Sequence, residues 1–217
     1  MKVSGVIFDM DGTLLDSMFI WKHLCRDLLR SKGYNPPEDI DSRVKRMELL
    51  QAAEYCRTEL GVTDTVEEIA QAVLDTVKEY YHEKAQMKKG VKELLHYLHR
   101  RGVRMCVATA NERYAAEAAL KLNGIDGYFE QIFTCTEEKA GKSGPGIYEK
   151  ACGFIGAEKD AVFVFEDAYH AAKTAKDAGF PVIGVFEETE EHTEKIKQFA
   201  DWYVNDLSET IAFFENK

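Results

Sequence analysis

Two hydrophobic periods alternate along the chain. Short apolar runs read as buried strands: residues 3–9 around VIF, VRMCVAT at 103–109, QIFTC at 131–135, AVFVFED at 161–167 and PVIGVF at 181–186. WYV at 202–204 reads as a last edge strand. Between them the apolar spacing lengthens to three and four residues, the period of an amphipathic helix. VKELLHYLHRRG predicts a helix closed by Gly102, and NERYAAEAALKLNG one that Asn111 caps and Gly124 stops. A further helix is predicted after Pro145. AYHAAKTAKDAG predicts another that ends at Gly179, and the last lies near 189–200.

From Asp16 to about Gln86 no strand pattern appears. Ile20, Leu24 and Leu28 stripe a helix that Gly33 ends, and Pro36 with Pro37 breaks the chain. A second helix is predicted from about Ser42 to Leu60, stopping at Gly61. Thr65–Glu68 has the form of a capping box, followed by a stripe of Val66, Ile69, Val73, Val77 and Tyr80. The expectation is two domains. Residues 1–15 and 88–217 form an α/β core, a doubly wound (Rossmann-like) parallel sheet with helices on both faces. Residues 16–87 form a small inserted all-α domain.

In such a sheet the ligand site lies beyond the carboxyl ends of the strands, where strand order reverses. The residues at those ends are Asp9 and Asp11, then Thr109, Ala110 and Asn111, then EEKAGKS at 137–143, and Glu166 with Asp167. Asp9, Asp11 and Asp167 offer hard oxygen ligands that suit magnesium. Lys142 meets a phosphoryl group as a point charge. Thr109 offers a hydroxyl, and backbone amides beyond a strand, such as that of Ala110, cradle an anion. A carboxylate held against a phosphate can attack phosphorus, while a second carboxyl serves the leaving oxygen and then water.

Composition narrows the partners. The chain has 217 residues, enough for one core and a small insertion, and a formal net charge of −10 that opposes nucleic-acid binding. No apolar run approaches the roughly 18 residues of a membrane span, and residues 1–8 lack the pattern of a secretory leader. Cys25, Cys56, Cys106, Cys135 and Cys152 form no CxxC pair, as expected of reduced thiols in a cytoplasmic protein. The expected partner is a small phosphorylated metabolite, and the expected state a monomer or weak dimer.

These motifs resemble those of the haloacid dehalogenase superfamily of phosphotransferases. FDMDGTLLDS is similar to its first motif, VATAN to its second, GKSGPGIYEKA to its third and VFEDAYHAAKTAKDAG to its fourth. The likeness covers the chain except the helical insert. That insert lies where the subgroup including phosphoglycolate phosphatases and β-phosphoglucomutases carries its cap. The resemblance implies that Asp9 is nucleophile and metal ligand. It implies that Asp11 is the general acid/base, with its main-chain carbonyl on magnesium. Thr109, Ala110 and Lys142 would hold the phosphoryl oxygens, Asp167 would ligate the metal, and Glu166 would bind a metal-held water. It also implies that strand one lies between the VATA and VFED strands. Ser143 and Gly146 stand where the third motif has Pro and Asp; Ala168 and Ala171 stand where the fourth has Ser and Gly.

The expected activity is magnesium-dependent hydrolysis of a small phosphate monoester, such as a sugar phosphate, phosphoglycolate or a nucleotide, through an aspartyl phosphate. A phosphomutase of the β-phosphoglucomutase type is an alternative with the same core residues. A receiver-like phospho-acceptor domain is an alternative of another class. AGKSG lacks the first glycine of a P-loop, since Thr136 stands there. A dehalogenase would not keep Asp11. In the insert, Arg43, Lys45 and Arg46 are candidates for a second phosphate or a solvated helix face. Phe19 and Trp21 are candidates for a cavity wall or for packing. His96 and His99 read as surface residues.

Overall fold

The computed structural model describes residues 3–45 and 47–215. Six strands run in parallel: β1 (Gly5–Phe8), β2 (Arg104–Thr109), β3 (Gln131–Thr134), β4 (Val162–Glu166), β5 (Val182–Val185) and β6 (Trp202–Val204). Their order is β3-β2-β1-β4-β5-β6, so β1 lies centrally and the sheet is wound outward in both directions from it. β1 pairs with β2 through Phe8 and Val107, and with β4 through Phe8 and Phe165. The helices are α1 (Met18–Ser31), α2 (Ile40–Val44), α3 (Leu49–Leu60), α4 (Val66–Glu83), α5 (Val91–Arg100), α6 (Arg113–Leu122), α7 (Cys135–Glu138), α8 (Gly146–Ile155), α9 (Tyr169–Asp177), α10 (Thr193–Phe199) and α11 (Glu209–Glu215).

The chain divides into two compact units, Met1–Asp16 with Ala85–Lys217, and Ser17–Lys84. In the first, both faces of the sheet are buried, which is why its strands read as continuous apolar runs rather than alternations. Ile7, Ala108 and Val164 pack on one face with Ile147, Tyr148 and Ala172 of α8 and α9. On the other face the Phe8 and Phe165 rings pack tilted at 4.7 Å, and Phe163 meets Phe214 of α11 at 5.2 Å. The second unit has its own core, in which Leu29, Ile40, Ala53, Cys56, Ile69 and Ala70 are buried together.

The expected helix over 42–60 is two helices. Glu48 is extended (φ −65°, ψ 153°) and forms a capping box with Gln51, starting α3 afresh. No glycine or proline marks the break in the sequence between Val44 and Leu49. In α1 the buried residues are Ile20 and Leu29, with Leu28 only half-buried. The Thr65 capping box is present: Thr65 Oγ1 accepts from the Glu68 amide at 3.2 Å, and Glu68 accepts from the Thr65 amide at 2.8 Å. α11 was not expected; its seven residues are too few to show a period, and Phe214 anchors them. Among the described residues no helix is long and apolar enough to cross a membrane.

Candidate active site

Strand pairing brings the acidic residues together. The Asp9 amide donates to the Phe165 carbonyl at 3.0 Å, extending the β1–β4 ladder to the point where both strands run out. Asp9 therefore emerges beside Glu166 and Asp167. One carboxylate oxygen of each lies within 4.8 Å of the others, and all three residues are buried. The chain then turns back. Gly12 has φ +83°, a conformation that side chains disfavour, and the amides of Leu14 and Leu15 both return to the Met10 carbonyl at 2.9 Å. That turn aims Thr13, whose hydroxyl donates to Asp167 Oδ1 at 3.0 Å.

Lys142 comes from the loop between α7 and α8. It is 9% exposed and its ammonium donates to Asp9 and, at 2.6 Å, to Glu166. Two of its three donors are so engaged, which leaves one for a further anion. The same Glu166 oxygen accepts from the buried Tyr148 hydroxyl at 2.7 Å. On the β2 side, Thr109 is buried at the strand end, and Ala110 just beyond it is exposed. The Asn111 amide donates to Thr109 Oγ1 at 2.9 Å, and the Asn111 side chain donates to Asp11 at 3.2 Å.

Burial pushes Glu166 up to about 7, against the downward pull of Lys142. Burial also raises Asp167 well above the carboxylate range, helped by the charges of Asp9 and Glu166. Burial pulls Lys142 down, but the facing carboxylates Asp9 and Glu166 outweigh it and hold it above its ordinary value. One ammonium thus faces more buried negative charge than it can neutralise. A hard divalent cation fits this oxygen donor set.

The structure brings Asp9, Lys142, Glu166 and Asp167 into one buried group, with Asp11 linked to the end of β2 through Asn111. Sequence reading missed Thr13 and Tyr148. Tyr148 had one signal, a hydroxyl on the buried face of a helix, which needs a partner. Asn111 does not cap α6; Glu112 occupies that position, and Asn111 precedes it. The alanine at 168 leaves α9 without a side-chain cap of its own, and Glu190 accepts from the Tyr169 amide at 3.1 Å instead. In the insert, Phe19 and Trp21 are exposed, and the Phe19 ring meets Tyr80 edge-on at 5.5 Å. Arg43 is exposed and engaged with Asp39 at 2.9 Å and Tyr55; Lys45 is exposed, and Arg46 lies outside the described residues. His96 and His99 are exposed.

A sequence model of the haloacid dehalogenase-like hydrolase family matches residues 6–185. A phosphorylated carbohydrates phosphatase of Thermotoga maritima is 26% identical over 177 residues, 82% of either chain. A validoxylamine A 7'-phosphate phosphatase of Streptomyces hygroscopicus is 29% identical, over 94% of this chain and 93% of that one. Among solved structures, a Thermotoga maritima protein provisionally assigned as a β-phosphoglucomutase superposes with a TM-score of 0.85. It is 24% identical and covers 100% of this chain and 99% of its own.

Proposed function

The chain belongs to the haloacid dehalogenase-like hydrolase family, and from that premise we propose that it is a magnesium-dependent phosphoric monoester hydrolase acting on a small phosphorylated metabolite. One observation supports this above the others: Asp9, Glu166 and Asp167 share one buried cluster into which the Lys142 ammonium is wedged. Both curated relatives described above are phosphatases of small phosphorylated compounds.

Magnesium would be held by Asp9, Asp167 and the Asp11 carbonyl, with Glu166 acting through water, and would neutralise charge on the phosphate. Lys142, Thr109 and the Ala110 amide orient the phosphoryl oxygens. An Asp9 carboxylate oxygen attacks phosphorus; the bond from phosphorus to the ester oxygen breaks, and that oxygen takes a proton from Asp11. Water then attacks phosphorus and gives a proton to Asp11. The bond from phosphorus to Asp9 breaks, releasing inorganic phosphate and restoring both carboxyl groups. The helical unit Ser17–Lys84 would serve as the cap that selects the substrate.

The test is phosphate release from a panel of phosphate monoesters with magnesium, with chelator, and with Asp9→Asn. Turnover that needs magnesium and vanishes in Asp9→Asn is expected. Turnover that survives excess chelator would contradict the reading. A mutase is the second reading, because a protein provisionally assigned as a β-phosphoglucomutase shares this fold. It predicts phosphate returned to a sugar with little net release.

A further inference from the structure

We propose that Asn111 is a positioning residue: it holds the Asp11 carboxyl group in place for proton transfer to the leaving oxygen. The proposal rests on the phosphatase reading above.

The three groups of Asn111 that form hydrogen bonds have separate tasks. Its main-chain amide donates to Thr109 Oγ1 at 2.9 Å, which ties it to the end of β2. Its side-chain Oδ1 accepts from the Glu112 amide at 2.9 Å, one of the N–H groups at the start of α6. With Oδ1 committed to a donor, the amide orientation is fixed, and Nδ2 must present its hydrogens the other way. There it meets Asp11 Oδ2 at 3.2 Å. The carboxamide thus forms a bridge from the N-cap of α6 to the second aspartate.

That bridge answers a geometric need. Asp11 lies beyond the end of β1, where the chain reverses at Gly12 and its backbone pairs with Leu15 in an isolated bridge, so its side chain is set at a turn rather than on the sheet. A general acid must meet the leaving oxygen within hydrogen-bond reach, and a misplacement of about 1 Å costs up to roughly 10²-fold. A donor on Oδ2 limits rotation of the carboxyl. An aspartate at 111 would still accept from Glu112 but would offer Asp11 no donor and a like charge.

The experiment measures kcat/KM, which reports phosphorylation of Asp9, for two esters. Glycerol 2-phosphate has a poor leaving group that needs acid help, and p-nitrophenyl phosphate has a good one. Asn111→Ala and Asn111→Asp are each expected to lose about 10- to 100-fold on glycerol 2-phosphate and less than about threefold on p-nitrophenyl phosphate. In an Asp11→Asn background, Asn111→Ala is expected to add no further loss on glycerol 2-phosphate, since its effect passes through Asp11. Equal losses on both esters, or the same loss with and without Asp11, would overturn the proposal, leaving Asn111 a structural residue of the loop. Wild-type protein that releases phosphate from neither ester would overturn the phosphatase reading and this inference with it. An active wild type with an unchanged ester ratio in the variants would overturn the inference alone.

Discussion

Lys142→Met removes the one ammonium among the buried carboxylates while keeping the length and apolar stem of the side chain. In the wild type that ammonium donates to both Asp9 and Glu166 at 9% exposure. Breaking a buried pair from one side costs about 3–5 kcal/mol, because the partner charges stay behind without compensation. Here two partners stay behind, with Asp167 beside them. For a domain of this size each kcal/mol lowers Tm by about 2–4 °C, so the expected fall is about 6–20 °C in chelator. Magnesium should recover part of it by supplying the missing positive charge. Turnover should not recover, because the donor proposed for a phosphoryl oxygen is gone; a loss of about 10²–10³ in kcat is expected. Calorimetry with and without magnesium, and phosphate release at saturating metal, measure the two effects. A variant that melts with or above wild type in chelator would refute the claim that Lys142 holds the acidic cluster together.

Other expectations follow from the same group. Tyr148→Phe removes the 2.7 Å bond to Glu166 and should cost about 1.5–3 kcal/mol in urea unfolding without metal; no loss would mean Glu166 does not depend on it. Glu166 titrates near 7 in the fold against an ordinary 4.5, and Asp167 is raised too, so the folded protein holds protons that the unfolded chain releases. Without metal, these groups make stability fall as pH rises from about 4.5 through about 7. At one fixed magnesium concentration the Tm gain should therefore grow with pH over that interval, to about 5–11 °C where the metal reaches a hundred times its Kd; a gain that is flat or shrinks would contradict this. Glu190→Ala should cost about 0.5–2 kcal/mol of stability by uncapping α9, readable as a lower urea midpoint, and an unchanged midpoint would show that water replaces it.

What was legible in the sequence followed from strand ends. A parallel sheet buries its strands on both faces, so polar residues are excluded until the strand stops. Asp9, Thr109 and Glu166 with Asp167 stand out for that reason. The same rule explains why β1 was read correctly as central only with help from the family motifs, since alternation alone gives no strand order. Lys142 lies on a loop, where no periodicity marks a lysine; its place beyond the end of a strand and the motif around it did. Thr13, and the partner of Asn111, were obscured by short-range chemistry. A Thr after a glycine turn and an Asn before a helix both have local explanations, and their partners lie 154 and 100 residues away. The split between α2 and α3 was hidden because a Glu–Gln capping box does not look like the usual Ser or Thr start.

The proposed hydrolysis passes through a covalent intermediate in which Asp9 would carry the phosphoryl group. Asp11→Asn should still accept a phosphoryl group from p-nitrophenyl phosphate, because that leaving group departs with little acid help, but should hydrolyse the product slowly for want of a base. The measurement is intact mass of Asp11→Asn after mixing with p-nitrophenyl phosphate and magnesium, followed by peptide mapping. The expected result is a gain of one phosphoryl group on the peptide that contains Asp9, absent when Asp9→Asn is added. Continued release of nitrophenol with no adduct, and equal release from the double variant, would contradict it.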